Sequence, residues 1–93
     1  MRLDNTEINA LKYAFRDFKG EIYLFGSRVD NNKRGGDIDI IIFPEKKIDQ
    51  FKMKIEIQKD FFLKCEENLD VVIYDENDLF CKEIIKNAER LTL

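Results

Sequence analysis

Two carboxylates separated by one residue open an Ile-rich run: Asp37 and Asp39 head DIDIIIF, residues 37–43. On a β-strand, positions i and i+2 point to one face, so this spacing sets two acidic groups side by side. Alone they repel each other, whereas a hard divalent cation, Mg²⁺ or Mn²⁺, would neutralise the pair and take both as oxygen ligands. A third carboxylate, Asp70, stands second in LDVVIYD, residues 69–75. With that run paired beside the first as a strand, Asp70 joins an oxygen cluster of the kind that two-metal phosphoryl or nucleotidyl transfer uses. Upstream, EIYLF, residues 21–25, runs straight into Gly26-Ser27. Glycine permits close backbone approach, and the Ser hydroxyl with exposed backbone N–H groups can receive phosphate oxygens. The chemistry on offer is a phosphate cradle beside a metal cluster. Each residue also has a plainer reading: Asp37 as the cap of a turn after Gly35-Gly36, Asp70 as a cap closing a long helix, Gly26 as a turn residue and nothing more.

Elements must hold these residues in place. Asp4 to Lys19 carries Ile8, Leu11, Phe15 and Phe18 at helical spacing, a D-x-x-E capping box at Asp4 and Glu7, and Gly20 as a stop, which predicts a helix over 4–19. EIYLF reads as a buried strand ending in a tight turn, followed by a short segment with room for one helical turn. DIDIIIF reads as a second strand that ends at Pro44. Between Lys46 and Asn68 the apolar residues are ambiguous: Phe51, Met53, Ile55 and Ile57 alternate as in a strand, while Ile48, Phe51, Ile55 and Phe62 fit a helix. Length and the Lys, Glu, Gln and Met content favour the helix. LDVVIY, residues 69–74, is a third strand, and Leu79, Phe80, Ile84, Ile85 and Ala88 predict a closing helix over 77 to about 90. The expected fold is a single α/β (α+β) domain over 1–93, a small mixed sheet flanked by helices, with no repeat or linker.

Composition narrows the function. Ninety-three residues, 44% hydrophobic and 38% charged, allow one core under a charged surface. With no His, a Ser-His-Asp triad and histidine metal sites are excluded, and acid-base work falls to carboxylates, Lys or Tyr. Cys65 and Cys81 lack Cys-x-x-Cys spacing and read as free thiols in a reducing compartment. A net charge of −3 does not supply the basic channel that holds a polynucleotide, so a nucleic-acid enzyme ranks low. No run approaches the roughly 20 apolar residues of a membrane span, and the start lacks a secretory pattern, which points to the cytoplasm. Eight Phe and three Tyr exceed the obvious needs of the core, and Phe61-Phe62 on a helix cannot both face inward. The second ring either marks a partner surface, a homodimer interface included, or packs under the closing helix.

Strand, Gly26-Ser27, nine residues, Asp37-x-Asp39 on an Ile-rich strand, then Asp70 on a third strand together resemble the polymerase-β-like nucleotidyltransferases. In particular, LFGSRV and KRGGDIDI resemble the minimal nucleotidyltransferases (MNT), small stand-alone members of that superfamily, over nearly the whole chain. The resemblance implies the nucleotidyltransferase fold. It also implies that Gly26 and Ser27 hold the triphosphate, that Asp37 and Asp39 bind Mg²⁺ or Mn²⁺, and that Asp70 is the third metal and catalytic carboxylate. The implied reaction transfers a nucleoside monophosphate, AMP from ATP, to a hydroxyl of a protein acceptor. Family members commonly act as antitoxins of a helical HEPN partner encoded nearby, where the acceptor would be a Tyr. Many of them have ten residues before the first Asp and an Arg three places after the Ser; here Arg28 follows the Ser directly and position 30 is Asp. Arg28, Lys33 and Arg34 are therefore candidates for the phosphates, or else solvated surface charges. A second class of function stays open: a non-catalytic nucleotide-binding module that neutralises or complements its partner by stoichiometric contact.

Overall fold

The computed structural model describes residues 2–30, 36–47 and 49–93. The order is α1 (Asn5–Ala14), β1 (Gly20–Phe25), a 3-10 turn (Gly26–Val29), β2 (Ile38–Pro44), α2 (Gln50–Lys64), β3 (Leu69–Ile73), α3 (Leu79–Ile85) and β4 (Glu89–Arg90). The strands form one sheet in the order β3-β2-β1-β4. β1 is antiparallel to both β2 and β4, whereas β2 and β3 run parallel and are joined through α2. A small mixed sheet flanked by helices is the fold class expected from the sequence; among the described residues it has four strands, one more than the three expected.

The Ile run of β2 is explained by cover on both faces. Ile38, Ile40 and Ile42 pack with Ile22, Leu24, Leu69 and Val71 under α1 and α2, while Ile41 packs with Phe25 and Cys81 on the other face, under α3. With a side-chain period of two, Asp39 shares the α3 face with Ile41, and Asp70 shares it with Val72. On that face Asp39 is half-buried and Asp70 is exposed.

Two boundaries and one buried face differ from the sequence-based expectations. α1 is started by the expected capping box, with Asp4 Oδ1 accepting from Glu7 N at 2.8 Å and Glu7 Oε1 from Asp4 N at 2.9 Å. It stops at Ala14 rather than Lys19, because Phe18 N donates to Phe15 O at 3.0 Å and tightens the chain so that both rings reach the core side, edge to face. In α2 the inward face is Met53, Ile57 and Phe61, so the stripe of Phe51, Ile55 and Phe62 points outward; Ile48 lies outside the described residues. Phe62 is 60% exposed and does not pack under the closing helix. That helix, α3, ends at Ile85 and the chain returns as β4, just after which Leu91 N donates to Ile22 O at 2.8 Å. A two-residue strand carries no periodicity, so the sequence could not announce it. Cys65 and Cys81 are buried free thiols, as expected.

Candidate active site

β1 ends at Phe25, which pairs with Asp39 of β2, and the chain then breaks into the 3-10 turn at Gly26. Gly26 has φ of 77°, and a β-carbon there would lie 2.5 Å from Asp39 Oδ2. The position favours glycine: its backbone is left-handed, and any side chain there would be strained and would push the Asp39 carboxylate aside. Gly36 (φ 89°) is similar, for its β-carbon would come 2.6 Å from Ser27 Oγ. The Ser27 hydroxyl is thus held against the backbone just ahead of Asp37. The Gly-Ser turn and the D-x-D pair, read from separate stretches of sequence, form one site.

Across the sheet, Asp39 and Asp70 are register partners in the parallel β2–β3 pair. Asp37 precedes β2, is exposed, and accepts from Asn68 Nδ2 at 3.4 Å. Burial first, then the charges of Asp70 and Asp37, raise the Asp39 carboxyl above the ordinary carboxylate value. Among the described residues, no three His, Cys, Asp or Glu side chains close around one point as a finished metal site. The donor set nevertheless fits a hard divalent ion: its oxygens are anionic, Asp39 and Asp70 stand side by side on one face of the sheet, and the charges of Asp70 and Asp37 raise the proton affinity of Asp39. Asp37, Asp39 and Asp70 are the residues that could hold it.

Arg28 requires a correction. Rather than lying open to phosphates, it is buried and paired with Glu7, with Nη1 2.8 Å from Glu7 Oε2. The same guanidinium donates to Arg2 O at 3.0 Å and to Gly36 O at 3.2 Å, and the Glu7 hydrogen bond raises its pKa against the effect of burial. Arg2 in turn donates to Ser27 O at 3.0 Å and Asp30 O at 2.8 Å. Glu7, Arg28 and Arg2 therefore hold the turn from behind. The sequence marked Glu7 only as a helix cap; its second partner lies on another element. Lys33 and Arg34 lie outside the described residues.

The family model for "Polymerase beta, Nucleotidyltransferase" matches residues 18–92. The chain belongs to this family. The matched stretch contains the Gly-Ser turn and Asp37, Asp39 and Asp70. No curated protein sequence matches the chain significantly. Solved structures share the fold. A mutant of the MntA-HpeT toxin-antitoxin complex has a chain that is 21% identical, with 97% of this chain and 73% of that one covered at a TM-score of 0.69. A second mutant of the same complex gives 21%, 98%, 73% and 0.71. The tri-AMPylated Shewanella oneidensis HEPN toxin in complex with MNT antitoxin gives 21%, 94%, 69% and 0.61. Among the described residues, no helix of this nucleotidyltransferase domain is long and apolar enough to cross a membrane.

Proposed function

We propose that this chain is a Mg²⁺-dependent nucleotidyltransferase that transfers AMP from ATP to a hydroxyl on a protein acceptor, a HEPN-type toxin encoded nearby, and so acts as its antitoxin. The observation that carries this reading is the junction of the two halves: the Asp39 carboxylate lies against Gly26 and opposite Asp70. A triphosphate at the turn would place its α-phosphorus beside the carboxylates. The relatives of like fold come from toxin-antitoxin complexes, one with an AMPylated HEPN toxin, which supports the partner and the nucleotide.

The acceptor oxygen attacks the α-phosphorus, the new P–O bond forms as the bond to the β-phosphate bridging oxygen breaks, and pyrophosphate leaves. Asp70 takes the hydroxyl proton. Gly26 N–H and the Ser27 hydroxyl orient the departing phosphates, while Asp37 and Asp39 hold the metal ion. That ion supplies charge neutralisation of the triphosphate and of the three carboxylates.

Intact-mass analysis of the partner, co-expressed with the parent chain or with its Asp37→Asn, Asp39→Asn double variant, tests this. Increments of whole AMP units with the parent alone support the transferase. An unmodified partner that still co-purifies and is still neutralised would favour the stoichiometric module instead.

A further inference from the structure

The stretch ahead of α1 runs alongside the 3-10 turn and is bonded to it repeatedly. Arg2 N donates to Arg28 O at 2.7 Å, and Arg2 O accepts from Arg28 Nη1 at 3.0 Å. The Arg2 guanidinium then spans the turn: Nη2 donates to Ser27 O at 3.0 Å and Nε to Asp30 O at 2.8 Å. One residue thereby holds the carbonyls of Ser27, Arg28 and Asp30, the last of these being the residue that closes the turn. Its own place is fixed from the other side. Leu3 packs against the main core and Asp4 begins the capping box of α1, so the backbone from which Arg2 reaches is anchored.

A single 3-10 turn has little stability of its own, and its carbonyls need partners from outside it. A guanidinium suits this task because its donors leave in a rigid planar fork, whereas an ammonium is a point charge on a flexible stem. The acceptors also dictate where the donors stand. A trans peptide sets its N–H opposite its C=O, so a Ser27 carbonyl drawn to Arg2 turns the amide that follows it away from Arg2.

We propose that Arg2 is a positioning residue for the triphosphate: it holds the carbonyl side of the 3-10 turn, so that the groups of Gly26 and Ser27 that meet the phosphates are set before the nucleotide arrives. The inference rests on the transferase reading, because it takes the triphosphate to sit at Gly26-Ser27. It goes beyond that reading by giving a part in phosphate binding to a residue that touches neither nucleotide nor metal.

Calorimetric titration of the full chain, at a temperature where every variant is folded, tests it with Mg²⁺ alone and with inorganic tripolyphosphate in Mg²⁺. Arg2→Gln and Arg2→Lys both remove the fork while keeping the backbone of residue 2 bonded to Arg28. In each, tripolyphosphate affinity falls by about tenfold, since a loosened turn must be ordered as it binds. Affinity for Mg²⁺ alone stays within about twofold, because Asp37, Asp39 and Asp70 belong to other stretches of the chain. In the parent chain, saturating tripolyphosphate slows hydrogen exchange at the Arg2 amide, since coupling between clamp and ligand is reciprocal. Unchanged tripolyphosphate affinity, whatever happens to the Tm, makes the clamp structural only and overturns the inference while leaving the transferase standing. A loss confined to Arg2→Gln also overturns it, because charge and not the fork would then act on the phosphates. So do equal losses for Mg²⁺ and tripolyphosphate, or exchange at Arg2 that the ligand leaves unchanged. A parent chain that binds no tripolyphosphate in Mg²⁺ overturns the transferase reading and the inference with it.

Discussion

Asp39 holds its proton more tightly in the folded chain than in the unfolded one, through burial and the facing charges of Asp70 and Asp37. Such a group contributes stability that is fully present below the ordinary carboxylate pKa and is lost as the pH rises through the raised value. Ionised Asp39 is therefore a net cost to the metal-free fold at neutral pH. Asp39→Asn should raise the Tm in chelator at pH 7 by about a few degrees. That gain should shrink as the pH is lowered through the Asp39 pKa, because the parent is then protonated too. Thermal unfolding across a pH series checks this, and a pH-independent gain would place its origin outside the carboxylate charges. Behind the turn, Arg28 serves three acceptors at once: Glu7, Gly36 O and Arg2 O. Lys keeps the charge but cannot span all three. Arg28→Lys should cost about 1–3 kcal/mol of stability, the range for a lost charged hydrogen bond. It should also weaken ATP, because Gly36 O, next to Asp37, loses its anchor. Denaturant unfolding run alongside ATP titration separates the effects; lower stability with full ATP affinity would make the pair structural only. Residue types and i, i+2 spacing made the carboxylates legible in the sequence. Arg28 was not, since burial depends on a partner 21 residues away that already had a local role as a cap.

Adjacent residues of α2 make the clearest contrast among the elements. Phe61 is fully buried between the helix and the sheet, while Phe62 is 60% exposed. Phe61→Ala should cost about 3–5 kcal/mol, the usual penalty for emptying a Phe site in a core. In a domain whose total stability is on the order of 5–15 kcal/mol, that puts folding at risk. Phe62→Ala should stay within about 0.5 kcal/mol. Denaturant midpoints measured on both variants check the pair, and comparable losses would mean that Phe62 is covered. The presence of α2 was legible from length and composition, yet its inward face was not. Apolar residues occupy both sides of it, with Met53, Ile57 and Phe61 on one and Phe51, Ile55 and Phe62 on the other. Periodicity identifies a buried face only where the opposite face is polar. β4 was illegible for a different reason: two residues gain strand character from β1 alone. The core strands β1, β2 and β3 were legible because each is bounded by a turn residue or a carboxylate and rich in Ile, Val or aromatic side chains.

For the molecule as a whole, charge sets the terms on which a nucleotide can bind. The chain carries 19 acidic and 16 basic residues, and Asp37, Asp39 and Asp70 crowd the site at which we propose that an anionic triphosphate binds. Arg28, the buried cation of the turn itself, is neutralised by Glu7. Bringing a triphosphate to this end of the sheet without a cation would add like charge to like charge, so ATP and the divalent ion should bind as a linked pair. Ligand that binds only the folded state stabilises it by RT ln(1 + [L]/Kd), about 2.7 kcal/mol at 100 times Kd. At roughly 4–8 °C per kcal/mol for a domain of this size, saturating Mg²⁺ and ATP together should raise the Tm by about 10 °C or more. ATP in chelator should leave it nearly unchanged, and Mg²⁺ without ATP should give an intermediate rise that Asp39→Asn abolishes. An equal rise with ATP in chelator would mean that basic side chains, and not the three carboxylates, secure the phosphates. The acidic character of the site would then be a barrier to the nucleotide instead of its means of attachment.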